Sequence, residues 1–92
     1  MIKGKTKSGF EFQYEEEVMN DMEVMDAIIE IETGETELNK LRGYTTVLSK
    51  ILGTDGKKKL YDHVRTESGR VPIEAIDNEL IEIISSSKDG KN

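Results

Sequence analysis

The sequence predicts an α+β fold, in which an N-terminal β-hairpin packs on a small bundle of three to four helices. Two patterns predict it: residues 2–14 alternate at period two around a Ser-Gly pair, and from residue 15 onward apolar residues recur every three or four positions. A chain of 92 residues with two Phe, three Tyr and no Trp or Cys supports one modest core. We therefore expect a single domain over residues 1–84 and a disordered polar tail over residues 85–92.

The hairpin is predicted from its alternation and its turn. The first strand alternates small or apolar residues with lysines, and the return strand carries three aromatic residues on one face: Phe10, Phe12 and Tyr14. Ser8-Gly9 is expected to form a two-residue turn. The following helix is expected to cover the aromatic face, because a lone hairpin is marginally stable. Lys5 or Lys7 should lie across from Glu11 on the outer face.

Residues 15–31 are predicted to form the first helix, with three glutamates in its first turn. Its apolar residues form two stripes, which are Val18, Met22, Met25 and Ile29, and then Val24, Ile28 and Ile31. Together they cover roughly half the circumference, more than a helix resting on one surface needs. Either the helix is wedged between the hairpin and other helices, or one stripe is left for a partner. Thr33-Gly34 is expected to end this helix.

A second helix is predicted over about residues 36–52. Gly43 and the β-branched residues after it weaken this segment, so two short helices joined by a kink are an alternative. Gly53 should end it, and Asp55 is expected to cap a third helix over about residues 56–66.

The last helix is predicted to run from Pro72 to about Ser86, after a turn at residues 67–69. An alternative keeps the chain extended through Ile76, with Asp77 capping a shorter helix.

Charge is segregated along the chain. Residues 8–39 hold eleven Asp or Glu and no Lys or Arg, whereas residues 40–70 hold eight basic and three acidic residues. Opposite-signed patches of this kind steer and register a macromolecular partner. The net charge of −6 and the pI near 4.8 argue against binding duplex DNA, and we expect no nucleic-acid partner.

No catalytic, metal or cofactor site is predicted, so we do not expect an enzyme. The absence of Cys excludes thiolate zinc sites and thiol nucleophiles. His63 has no nucleophile or second His at a suggestive spacing, and we expect a structural or surface role for it. The acidic residues follow helical spacing, which indicates a solvated face. Residues 1–20 do not resemble a signal peptide and apolar runs are short, so we expect a cytoplasmic protein with no membrane partner.

Two features are candidates for partner binding, although each has a simpler structural interpretation. Three consecutive lysines near the start of a predicted helix oppose its dipole, yet they can equally form a solvated face. Three methionines on the over-apolar first helix suit an adaptable binding surface, yet they can equally fill the core. The candidate partner-binding residues are Met19, Met22, Met25, Ile28, Lys57, Lys58, Lys59 and Arg65.

Two segments carry a family resemblance. Residues 60–75 read Leu-Tyr-Asp-His-Val-Arg-Thr-Glu-Ser-Gly-Arg-Val-Pro-Ile-Glu-Ala, and the chain opens with Met-Ile-Lys-Gly-Lys-Thr-Lys-Ser-Gly-Phe-Glu-Phe. Both resemble the small tail assembly chaperones of siphophages and prophages of Gram-positive bacteria. The order of hairpin, acidic helix, basic helix and Gly-Arg-Val-Pro turn is similar as well.

This resemblance implies a non-catalytic role in virion morphogenesis. Such chaperones bind the long tape measure protein, help recruit tail tube subunits in the host cytoplasm, and are absent from the finished virion. A rival hypothesis is an acidic regulatory module that mimics DNA and inhibits a basic protein. The wide apolar arc of residues 18–31 is equally compatible with a homo-oligomer.

Overall fold

The computed structural model describes residues 1–89 and confirms the predicted hairpin followed by a helical bundle. Strands β1 (Ile2–Lys5) and β2 (Glu11–Tyr14) pair antiparallel and precede a short 3-10 helix at Glu16–Met19. Helices α1 (Met22–Thr33), α2 (Glu37–Val64) and α3 (Ile73–Asp89) follow. Among these described residues, no helix is both long enough and apolar enough to cross a membrane.

The hairpin loop has three residues instead of the predicted two. The Thr6 amide donates to the Phe10 carbonyl at 2.9 Å and the Gly9 amide to the Thr6 carbonyl at 2.9 Å, with Gly9 at a φ of 97°. The reason is the alternation of side chains along each strand. A two-residue turn would pair Lys7 with Phe10 and place the lysines of β1 on the same face of the sheet as the aromatic residues. The third loop residue keeps the two faces separate. The predicted pairing of Lys5 with Glu11 is confirmed.

The predicted helix over residues 15–31 is interrupted at Asn20 and Asp21. Asn20 has φ and ψ of −101° and 55°, and Asp21 has −139° and 118°, so neither is helical. The Asp21 carboxylate accepts from the Glu23 amide at 2.8 Å and caps α1. An aspartate competes well for free amides at a helix start, which is why one helix became two. The end of α1 at Thr33 agrees with the prediction.

Helix α2 continues through Gly43 and bends at Gly53. The kink predicted at Gly43 is wrong, because this glycine is buried where α1 approaches closely, and a Cβ there would lie 2.7 Å from the Ala27 carbonyl oxygen. The break predicted at Gly53 is confirmed by its φ of 75°. Asp55 lies inside the resumed helix, not before it, so its predicted capping role is also wrong.

The helical alternative for residues 72–76 is confirmed, since the Ile76 amide donates to the Pro72 carbonyl at 3.2 Å. Helix α3 then extends to Asp89, so residues 85–89 are helical where the composition predicts a disordered tail. Extending an anchored helix is easy because each added residue also adds a hydrogen bond. Residues 90–92 of the predicted tail lie outside the described residues.

One core joins the hairpin to the bundle. Strand β2 packs mainly against α2 and β1 against α3, whereas the expected cover was the helix directly after the hairpin. The Tyr14 hydroxyl donates to the Ile83 carbonyl at 2.8 Å and so links the end of β2 to α3. The largest fully buried side chains come from all three helices and are Leu48, Leu60, Ile83, Val24 and Val47.

Replacing Gly43 with Ala tests the close contact between α1 and α2. Alanine favours a helix over glycine by about 1 kcal/mol, but overpacking against a backbone oxygen costs about 1–3 kcal/mol. We expect Gly43→Ala to lower the free energy of unfolding in urea by about 1 kcal/mol. Thr54→Ala, at an exposed site of the same helix, is the control and should change it by less than about 0.5 kcal/mol. A more stable Gly43→Ala variant would contradict the contact.

Candidate functional site

A surface groove lies where the three helices meet, with a volume of about 440 Å³. Its floor and walls are mainly apolar and come from Ile28, Ile31, Tyr44, Leu80, Ile81 and Ile84. Glu32, Lys40, Asp77 and Ser85 complete its lining. We call these ten residues the helical groove. An apolar cleft with a few polar groups at its edge is a common form of binding site.

The apolar surface continues from the helical groove along α1. Successive helix residues are about 100° apart, so Met25 lies on the wheel between the groove residue Ile28 and the outer pair Met22 and Ile29. Met22 is 69% exposed, Ile29 is 56% exposed, and Ile81 across the groove is 57% exposed. Neighbouring large apolar side chains at this exposure mark an interaction surface more often than single ones do.

The structure decides between the two alternatives for the wide apolar arc of α1. The stripe that contains Val24 faces the core, where Val24 is fully buried and Ala27 is 3% exposed. The stripe that contains Met22 and Ile29 faces outward. That stripe is uncovered only in part, because Met25 is half-buried and Val18 packs against the core from the separate 3-10 helix. The helix is therefore not wedged on all sides.

The predicted methionine cluster is only partly assembled. Met19 belongs to the separate 3-10 helix and packs at the edge of the core. Met22 is exposed, Met25 is half-buried, and Ile28 lines the helical groove. The groove residues of α3 were absent from the predicted site, because only the fold brings them beside α1.

The predicted basic residues lie elsewhere. Lys59 lines a second groove together with Lys3 and Lys5 of β1, and this groove shares no residue with the helical groove. The Lys57 ammonium donates to the Ser49 hydroxyl at 3.1 Å, whereas Lys58 is exposed. The candidate residues therefore form two surfaces instead of one.

Arg65 has a structural role. Its guanidinium donates to the Gly69 carbonyl and to the Asp62 carboxylate, both at 3.0 Å. These bonds hold the turn between α2 and α3. The predicted partner contact of Arg65 stays a prediction, but its donors already have acceptors within the chain.

Part of the acidic run is paired inside the molecule. The Lys50 ammonium lies 2.7 Å from the Glu23 carboxylate and 3.3 Å from that of Asp21, and Arg42 lies 3.9 Å from Glu30. The hydrogen bonds from Lys50 to Glu23 and Asp21 raise the pKa of Lys50. The backbone amide of Glu23 lowers the pKa of Asp21. Helix α2 thus reduces the negative potential of α1.

Tyr44 and Asp77 form a polar pair at the edge of the helical groove. The Tyr44 hydroxyl donates to the Asp77 carboxylate at 2.9 Å. Burial is the larger cause and this hydrogen bond the next, and together they raise the pKa of Tyr44 to about 12. This hydrogen bond joins α2 to α3 at the edge of the helical groove.

A second polar group surrounds the hairpin loop. Glu79 of α3 is only 5% exposed, and its carboxylate accepts from the Thr6 hydroxyl at 2.7 Å and the Ser8 hydroxyl at 2.9 Å. The His63 Nε2 atom lies 3.0 Å from the Ser8 hydroxyl and 3.2 Å from the Ser8 carbonyl. We call these four residues the loop clasp. Sequence reasoning found no Ser close to His63, and the fold corrects this.

The loop clasp has the residue types of a hydrolase triad but not its hydrogen bonds. A carbonyl oxygen only accepts, so the contact with the Ser8 carbonyl places a proton on Nε2 of His63. His63 therefore donates to Ser8, and Ser8 donates to Glu79. In a triad the histidine would accept the serine proton and the carboxylate would orient the histidine. The geometry is that of a structural network.

Comparisons with known proteins give no relative for this geometry. No protein-family model, curated protein or solved structure matches the chain. Any function of the chain is therefore a proposal that rests on its own residues.

Replacing Thr6 with Val tests the loop clasp. Valine has the shape of threonine but removes a donor to Glu79 and the acceptor of the Phe10 amide. A buried polar group left without its partner costs about 1–3 kcal/mol. We expect the free energy of unfolding to fall by that amount in urea denaturation. Thr45→Val, at an exposed site on α2, is the control and should change the free energy of unfolding far less. Equal effects of the two substitutions would argue against the loop clasp.

Proposed function

We propose that the chain is a non-catalytic tail assembly chaperone of a siphophage or prophage of Gram-positive bacteria. In this role it binds a helical segment of the tape measure protein and helps recruit tail tube subunits in the host cytoplasm. The observation that supports binding best is the helical groove with its uncovered extension along α1. The resemblance of residues 1–12 and 60–75 supports the family.

The shape of the groove suits a client helix. Residues 22–31 of α1 span about 14 Å, at about 1.5 Å per residue, which matches two to three turns of a helix lying alongside. A helix of this kind is recognised through apolar anchors at positions i, i+3 or i+4, and i+7. A long tape measure protein rich in such helices would offer many segments of this pattern.

Charge at the groove favours a client helix with basic flanks. Glu32 and Asp77 lie in the groove lining against one basic residue, Lys40, and Asp26 is exposed on α1. Opposite charges at the rim of an interface mainly accelerate encounter, and salt screens them. Because a chaperone must release its client, we expect micromolar affinity, about −8 kcal/mol.

The rival DNA-mimic hypothesis receives less support from the geometry. Lys50 and Arg42 pair with three of the carboxylates that would have to imitate phosphates. Glu16 lies in the 3-10 helix, so it is not in register with the carboxylates of α1. Binding to a basic DNA-binding protein would revive this hypothesis.

A double substitution, at Ile81 in the helical groove and at Ile29 on its extension along α1, tests client binding. We expect Ile29→Gln with Ile81→Gln to reduce capture of a long coiled-coil-like protein at least tenfold, since each buried Ile contributes about 1.5–3 kcal/mol. The measurement is a co-expression pull-down with the products of the flanking genes, at low and high salt. Both residues are more than half exposed, so the fold should be unaffected.

Leu38→Gln is the matched control for this experiment. Leu38 is 68% exposed but lies on α2, outside both the helical groove and its extension along α1, so its variant should capture the client like the unchanged chain. Unchanged capture by the double variant would contradict the proposed site. Loss of a dimer in light scattering would instead identify the stripe as a contact between copies of the chain.

Charge reversal in the lysine cluster tests its part in steering. The lysine cluster would meet an acidic segment of the client, separate from the basic flanks at the groove. We therefore expect Lys58→Glu with Lys59→Glu to slow association with the captured client several-fold at low salt and to flatten the salt dependence. The readout is the association rate in surface-based binding kinetics. The neutral variant Lys58→Gln with Lys59→Gln should have an association rate between those of the unchanged chain and the charge-reversed variant. If rate and salt dependence are both unchanged, the cluster has no role in recognition.

A further inference from the structure

Two turns of the chain share one sequence pattern and one conformation. Thr6-Lys7-Ser8-Gly9 closes the hairpin, and Thr66-Glu67-Ser68-Gly69 joins α2 to α3. In both, the threonine amide donates to the carbonyl four residues on, at 2.9 and 2.8 Å, and the glycine amide donates to the threonine carbonyl at 2.9 Å. The glycines have φ values of 97° and 90°.

The hydroxyl groups of the two turns are arranged alike. The Thr6 hydroxyl accepts from the amide of Phe10 at 3.2 Å, and that of Thr66 accepts from the amide of Arg70 at 3.3 Å. The threonine and serine hydroxyl oxygens are 3.1 Å apart in the first turn and 2.9 Å apart in the second. Each turn thus presents two hydroxyls side by side.

The first turn shows what this arrangement binds. Its two hydroxyls donate to the two oxygens of the Glu79 carboxylate, and the Lys7 amide donates to the Glu82 carboxylate at 2.9 Å. The ligand is therefore a pair of carboxylates three residues apart on one face of a helix. Two hydroxyls and one amide suit this pair because all of them donate to acceptor-only groups.

The second turn is exposed and holds no such ligand among the described residues. Its two hydroxyls bond to each other, which leaves one hydroxyl hydrogen directed away from the pair. Arg65 fixes the turn by donating to the Gly69 carbonyl, and Arg70 is exposed beside it. The turn is therefore preformed. Because Arg65 is already paired with Asp62, Arg70 is the arginine beside the turn that is available to an anion, and Glu67 is the opposing charge next to it.

We propose that the turn at Thr66–Gly69 is a binding site for an acidic partner helix that carries two carboxylates three residues apart. One carboxylate would accept from Thr66 and Ser68, and the other from the Glu67 amide, as Glu79 and Glu82 do in the first turn. This site is separate from the helical groove and does not depend on the proposed function. It would set the register of a partner whose apolar contacts lie elsewhere.

An NMR titration of the full ¹⁵N-labelled chain tests the site. The probe is an alanine-based helical peptide with one Glu-x-x-Glu pair, and the control peptide carries Gln-x-x-Gln. We expect the amides of residues 66–70 to shift with the acidic peptide only. The amides of residues 6–10 should stay in place, because their ligand is already bound. No shift at residues 66–70, or equal shifts with both peptides, would overturn the proposal.

Variants of the turn distinguish the contribution of its hydroxyls to binding from that of its charged side chains. Thr66→Val with Ser68→Ala keeps both arginines and should weaken binding at least tenfold, because it removes both charge-assisted hydrogen bonds to that carboxylate. Ser68→Ala alone keeps the Thr66 hydroxyl as the acceptor of the Arg70 amide and should show an intermediate loss of binding. Glu67→Lys, which copies the first turn, should strengthen binding several-fold. Unchanged binding by the double variant would overturn the proposal in favour of attraction by the arginines alone.

Discussion

The buried carboxylate of Glu79 determines how the N-terminal hairpin attaches to the helical bundle. A carboxylate removed from water requires hydrogen-bond donors, and both donors come from the hairpin loop, 73 and 71 positions away in the sequence. With the loop fixed on α3, the aromatic face of β2 comes to lie on α2, and the Tyr14 hydroxyl reaches the Ile83 carbonyl. A two-stranded hairpin has little stability of its own, so this attachment makes it part of the domain.

Local patterns predicted most of the secondary structure. The hairpin alternation, the helix end at Thr33, the break at Gly53 and the helix start after Pro72 all depend on neighbouring residues, and all are found. Two errors were also local and were avoidable. The parity of lysines and aromatics excludes a two-residue turn, and Asp21 is a favourable cap that interrupts the first helix.

The remaining errors concern contacts that only the folded chain creates. Gly43 resembles a helix breaker until α1 is seen to need the space of its missing side chain. Ser8 and His63 are 55 positions apart, and no spacing rule joins them. Glu79 gave a weak signal, since it follows the buried Ile76 by three residues and so shares the apolar face of α3. The repeated Thr-x-Ser-Gly pattern was also visible in the sequence.

Only the part of the candidate site that lies on α1 could be predicted, because the rest depends on contacts that the folded chain creates. The uncovered stripe of α1 follows from periodicity, but its continuation across Leu80, Ile81 and Ile84 depends on where α3 packs. The lysine cluster, in contrast, ends on a different surface. The chain thus presents an apolar groove, a basic groove beside the hairpin and an exposed hydroxyl turn as three separate surfaces.

A double-mutant cycle between Thr6 and Glu79 tests the central claim most directly. The unfolding free energies of Thr6→Val, Glu79→Gln and the combined variant would be measured in urea against the unchanged chain. If the hydroxyl and the carboxylate hold the hairpin to α3, the two substitutions should be coupled by at least about 1 kcal/mol. Additive effects, within about 0.5 kcal/mol, would contradict the account.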